Sequence, residues 1–188
     1  MRIQIIVIAL VLSISLFTCG GDKSNQNDSH ETLEKKQACE LLTLDNVQEV
    51  VGQKVAMGRH YTDYDCTYDS VQQDANGGPK KKIFLRMTIP AFNVSPEEAL
   101  RNHIKTMKEG LGKDANTYKS TNVAGIGDVA VFDEHLGTEG SVVLVTFRSV
   151  KSKGKSGTIT ITIQLAGFEK ENARQYAKAL ALKALQRV

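Results

Sequence analysis

The 188-residue chain has no tryptophan, three prolines, three cysteines and only 6% aromatic residues. Its 24 basic and 21 acidic side chains leave a net charge of +3. With 41% hydrophobic residues, this composition excludes a collagen, a coiled coil and a long disordered chain. The small net charge gives no reason to expect nucleic acid as a partner, since domains that bind it concentrate basic charge on one face. Catalytic signatures are missing too. There is no His-Glu-x-x-His pattern, no Gly-x-Ser-x-Gly elbow and no Cys-x-x-Cys pair. The four histidines, His30, His60, His103 and His135, fall in unrelated segments. Gly154-Lys155-Ser156 matches the end of a phosphate loop, but Ser149 stands where that loop needs its first glycine. Asp63, Asp65 and Asp69 have part of the spacing of a calcium loop, yet Tyr68 occupies the glycine position and Asp74 the place of the closing Glu. A solvated loop is the simpler expectation there, and no metal or other cofactor is expected.

What the chain does have begins with an apolar run. Ile3 to Phe17 is interrupted only by Gln4, Ser13 and Ser15. As a helix it would rise about 22 Å, short of the roughly 30 Å hydrocarbon core of a bilayer. With Arg2 in front, it has the layout of an export signal. It ends in Leu16-Phe17-Thr18-Cys19-Gly20, which resembles a bacterial lipoprotein signal: a Leu three residues before a Cys that becomes the lipidated first residue. Thr18 departs from the usual Gly, Ala or Ser at its position. The resemblance implies that residues 1–18 are removed and that Cys19 carries acyl chains, palmitate among them.

Each buried lipid methylene contributes about 0.8 kcal/mol, and two chains anchor stably where one is marginal. No other apolar run approaches the ~18 residues of a membrane span, so the membrane is expected to be met through the lipid on Cys19. Residues 19–38 hold the lipidated Cys and a polar spacer in which Leu33 is the one large apolar side chain. As coil, the spacer has an rms reach on the order of 20–25 Å. The expected location is the cell envelope, in the outer membrane of a cell that has two, with the domain on the periplasmic or external side.

The remaining cysteines, Cys39 and Cys66, open the segment that can fold. Export removes the reducing cytosol, so a disulfide is the default for this pair. A loop of about 28 residues closed by it contributes roughly 3–4 kcal/mol. A metal pair or redox dithiol is the alternative, but no His stands at a ligand offset to either Cys.

Residues 39–188 read as one α+β domain, an antiparallel sheet flanked by helices. Thr43 caps a short helix through Leu44, Val47, Val50 and Val51, and Gly52 ends it; the disulfide would tie the start of this helix to the sheet. Strands are expected near 53–58 and 66–71, and over 83–89, where Ile83, Leu85, Met87 and Ile89 alternate with polar neighbours until Pro90. Ser95-Pro96-Glu97-Glu98 starts a second helix with Ala99, Leu100, Ile104, Met107 and Leu111 on one side and Gly110 and Gly112 at its end. His103 shares that side and is expected to be packed and hydrogen-bonded. Strands follow at 129–133, 142–150 and 158–165, joined by glycine-bearing turns at 136–140 and 151–157. Residues 169–187 form a final helix, with Ala173, Tyr176, Ala177, Leu180, Ala184 and Leu185 facing inward.

Cys39-Glu40-Leu41-Leu42-Thr43, Cys66-x-Tyr68 and Gly125-Ile126-Gly127-Asp128-x-Ala130 together resemble a group of uncharacterised bacterial lipoproteins best populated in actinobacteria. That resemblance runs from Cys39 to about Ala130. It implies a PsbP-like α/β/α sandwich and leaves the activity unassigned. The expected function is that of a lipid-anchored, non-enzymatic envelope domain that binds a protein or envelope component. Two other readings are a carrier of a small apolar ligand and an enzyme with a dispersed site. Lys80, Lys81 and Lys82, with Lys151, Lys153 and Lys155, are candidate contacts to an anionic surface if they share one edge of the sheet; otherwise they are solvated lysines that protect exposed edges.

Overall fold

The computed structural model describes residues 37–59, 62–78, 80–134, 140–152 and 154–188. Residues 1–18, expected to be an export signal, Cys19, most of the expected spacer, Lys153 and three of the four histidines lie outside the described residues. The elements in chain order are α1 (Ala38–Leu41), α2 (Leu44–Val51), β1 (Val55–Met57), β2 (Asp65–Ser70), β3 (Lys82–Met87), β4 (Ala91–Phe92), α3 (Pro96–Leu111), a 3-10 helix (Gly112–Thr117), β5 (Ser120–Asn122), β6 (Val129–Asp133), β7 (Ser141–Ser152), β8 (Lys155–Ala166) and α4 (Lys170–Leu185). The sheet runs β1-β2-β3-β8-β7-β6-β5, with β4 on β8, and every pairing is antiparallel.

The β7–β8 hairpin forms the spine. Ile159, Ile161, Ile163 and Leu165 point to one face and are buried, while Thr160, Thr162 and Gln164 point to the other and are half-exposed. This is the period-two alternation of a strand with one covered face. Against the apolar face pack α1, α2 and α4, around a core that includes Tyr68, Leu85, Leu144 and Leu180. On the opposite face α3 covers Val131, Val143, Val145 and Phe147 with the half-buried Ala99 and Leu100. The architecture is therefore an antiparallel sheet between two helical layers. Both edge strands, β1 and β5, are three residues long, which limits the unpaired backbone offered to other chains.

Several local readings are corrected. Cys39 lies in the separate short helix α1, which ends where Leu42 turns extended, so the disulfide ties α1 and not α2 to the sheet. β3 stops at Met87, and Ile89 is 59% exposed. Pro90, without an N–H, breaks the ladder before β4 rejoins β8 through Ala91↔Thr158. α3 continues through Gly110 to Leu111, and the 3-10 helix and β5 follow, both too short to show a period. The expected 151–157 turn is mostly strand, because Val150↔Gly157, Lys151↔Ser156 and Ser152↔Lys155 extend the ladder to its tip. In α4, Ala181 is buried, whereas Tyr176 and Leu185 sit half-buried at its rims.

Candidate functional site

The folded body begins at one end of the sheet. The Ala38 amide donates to the Asp63 carbonyl at 2.7 Å, two residues before β2 starts. Cys39 and Cys66 form the disulfide, with Cα atoms 5.1 Å apart. Cys66 is fully buried and Cys39 half-buried. The Tyr68 hydroxyl donates to the Leu42 carbonyl and lies 3.1 Å from Cys66 Sγ. Burial pushes the Tyr68 phenol well above its ordinary value, which keeps it a neutral donor. From the other end of the chain, Arg187 donates to the Glu40 carbonyl at 2.9 Å. The opening motif thus serves as a cap, a covalent tie and a hydrogen-bonded plug.

Beside this entry, β2 carries Asp65 through the segment that has part of the calcium-loop spacing. Asp65 accepts from Arg86 at 2.8 Å and from Thr62 at 2.9 Å. Burial raises its pKa, but these hydrogen bonds and the Arg86 charge prevail and hold the carboxyl below the usual range. Asp65 and Asp69 both sit in a strand, so no ion-binding loop is formed. Among the described residues, no three His, Cys, Asp or Glu side chains are placed to hold a metal.

The Gly125-Ile126-Gly127-Asp128 step performs packing and capping. Ile126 is buried in the main core. Gly127 has φ +60, and a Cβ there would come within 2.8 Å of the Phe147 carbonyl, so the close approach to β7 requires glycine. Asp128 then accepts the Ser149 amide at 2.6 Å. That bond, outweighing burial and aided by the Ser149 side chain and the Arg148 charge, holds its carboxyl below the ordinary value.

His103 meets the expectation of a packed, bonded histidine. Its Nε2 lies 2.8 Å from Asp133 Oδ2, and its ring stands edge-on to Phe147 at 6.0 Å. Tyr118 donates to the same carboxylate oxygen at 2.9 Å. The Asp133 side chain is fully buried. Burial first, and then the hydrogen bond to Asp133 and its negative charge, push the Tyr118 phenol well above its ordinary value. The three groups clip α3 to β6 and the segment before β5. Neither Tyr118 nor Asp133 was singled out from sequence, since only the β5–β6 pairing brings them together; an acidic residue ending an apolar strand was the one available signal.

The register separates the two lysine clusters. Lys82 pairs with Ala166, the last residue of β8, and Lys155 is the first. They stand about 36 Å apart along the strand, so Lys80, Lys81 and Lys82 share no edge with Lys151 and Lys155. Lys81 is also engaged structurally, bonding Gln53 at 3.0 Å and lying 5.0 Å above the Phe168 ring. Lys151 and Lys155 are exposed at the hairpin tip. A groove of about 530 Å³ runs from that tip to the start of α3, lined by Val94, Pro96 and Val150 with Asn93, Ser95 and Lys151 among its polar groups.

No protein-family model matches this chain, and no curated protein sequence matches it. Among solved structures it is similar to a point mutant of Protein Mog1, at 14% identity over 69% of this chain and 77% of that one, with a TM-score of 0.30. A likeness of that size bears on neither activity nor partner, and the antiparallel sheet between helical layers rests on the chain's own structure.

Proposed function

We propose that this chain is a lipid-anchored envelope lipoprotein, held by acyl chains on Cys19, whose α+β domain is a binding module for a protein or envelope component. The observation that carries the reading is the cysteine pairing. Cys39 and Cys66 are joined, so Cys19, placed three residues after Leu16 at the end of an apolar run, is the one cysteine outside the bridge. Among the described residues no helix is long and apolar enough to cross a membrane; in this reading the anchorage is the lipid on Cys19. In the producing cell, radioactive fatty acid should label the chain, and Cys19→Ala should abolish the label; label that persists in the variant refutes the anchor. Crosslinking in the native envelope should capture one recurrent partner, and its absence would count against the binding module.

The groove between the hairpin tip and α3 favours a second reading, a carrier of a small ligand in contact with Val94, Pro96 and Val150. Native mass spectrometry of protein purified from its own membrane tests it. A stoichiometric adduct supports the carrier, and bare protein rejects it.

A further inference from the structure

The domain has two distinct ends, and only one is where the tether arrives. Ala38 is fixed to Asp63 just before β2, and the β2–β3 ladder starts there with Asp65↔Arg86, level with Thr162 of β8. From Thr162 the hairpin continues past this level to Lys155, seven residues further, or about 23 Å. The chain from Cys19 to Ala38 is long enough to cover that distance, since its nineteen steps can span at most about 65 Å. A membrane holding Cys19 is therefore within reach of the hairpin tip while the domain stands end-on.

The tip suits such a surface. Lys151 and Lys155 are exposed, and by the alternation of the ladder they lie on opposite faces of the ribbon. Arg148, also exposed, shares the face of Lys155 but stands four residues further back along the strand, ion-paired with Asp128 at 3.5 Å. A ribbon meeting a plane by its end brings cations from both faces to that plane. The lysines at 80–82 lie at the far end and face away from it.

We propose that the exposed Lys151 and Lys155 at the β7–β8 tip dock onto anionic lipid headgroups, orienting the domain with its Lys80–Lys82 end outward. The inference rests on the lipid anchor at Cys19 for bringing the tip close to the bilayer. The absence of tryptophan allows a clean test. Full-length protein carrying Ser156→Trp, or Asn76→Trp at the far end, is reconstituted into vesicles of phosphatidylcholine alone or with phosphatidylglycerol, each containing a headgroup quencher.

The expected result is quenching of Ser156→Trp that rises with phosphatidylglycerol and falls with salt, with Asn76→Trp unquenched. Lys151→Glu with Lys155→Glu should lower the anionic-lipid dependence by about fivefold or more per lysine, since each contributes on the order of 1 kcal/mol near such a surface. Equal quenching with and without phosphatidylglycerol, or stronger quenching at position 76, overturns the proposal. Flotation of the same samples separates the two ideas. Wild type that floats with neutral vesicles while Cys19→Ala does not supports the anchor, whatever the quenching shows. Failure of wild type to float rejects the anchor, and charge-dependent quenching by added anionic vesicles would still report the tip.

Discussion

The two faces of the sheet differ in what holds their helices. On one side α4 buries Ala173, Ala177, Leu180, Ala181 and Ala184 completely, or nearly so, and the alanines let its axis come close to β7 and β8. On the other, α3 buries only Pro96 fully, and its apolar residues remain half-exposed over four sheet side chains. There the His103–Asp133–Tyr118 clip supplies specificity that a small apolar contact cannot. The contrast separates a layer that makes the fold stable from a layer that can loosen without unfolding the rest, as local stability within a domain commonly varies.

The largest effect should come from a matched pair of truncations across the faces. Leu180→Ala is expected to cost about 3–4 kcal/mol, and Leu100→Ala only about 1 kcal/mol, because the latter is already half in water. Urea unfolding of both variants checks this, and equal losses would erase the distinction between the layers. Replacing both Cys39 and Cys66 by Ala should cost about 3 kcal/mol through the closed loop, read as a lower urea midpoint with the sheet retained.

A smaller effect is expected at the clip. His103→Ala removes one partner of the fully buried Asp133 carboxylate, a loss of about 1–2 kcal/mol. Its signature is faster amide exchange in α3 than in α4, whereas uniform acceleration would mean that the clip supports the whole fold. Smallest are the pH effects. Asp65 and Asp128 have depressed folded-state values, so their stabilisation is present above the ordinary carboxylate range and is lost as pH falls through the folded values. Tyr68 and Tyr118 are raised, so their contribution is full below about pH 10 and is lost at more alkaline pH. Arg86→Ala should lower stability at neutral pH and flatten the acid limb, as urea midpoints from pH 2 to 7 would show.

Much of the domain could be read from local pattern. Thr43 and Gly52 bound α2 as their side-chain and backbone preferences require, and the alternation in 158–165 identifies β8. Val129–Asp133 coincides with its expected span. Ser95 accepts the Glu98 amide at 3.2 Å, as the cap sequence suggests. β4 and β5 escaped because two or three residues cannot display a period; they become strands only when β8 and β6 provide partners. The candidate site was less legible. Helical spacing places His103 on a packed face, but its carboxylate partner lies thirty residues away in sequence, and nothing local to the lysine runs tells which sheet end each occupies.

Local chemistry in the chain determined the helix caps, the strand alternation, the α+β class and the division of three cysteines into a pair and one apart, since each depends on residues a few positions away or on their count. Only the tertiary structure decided which face each helix covers, that Tyr118, Asp133 and His103 converge, and that the two lysine clusters stand at opposite ends of β8. Those outcomes depend on strand order and register, which arise from the simultaneous burial of many distant side chains.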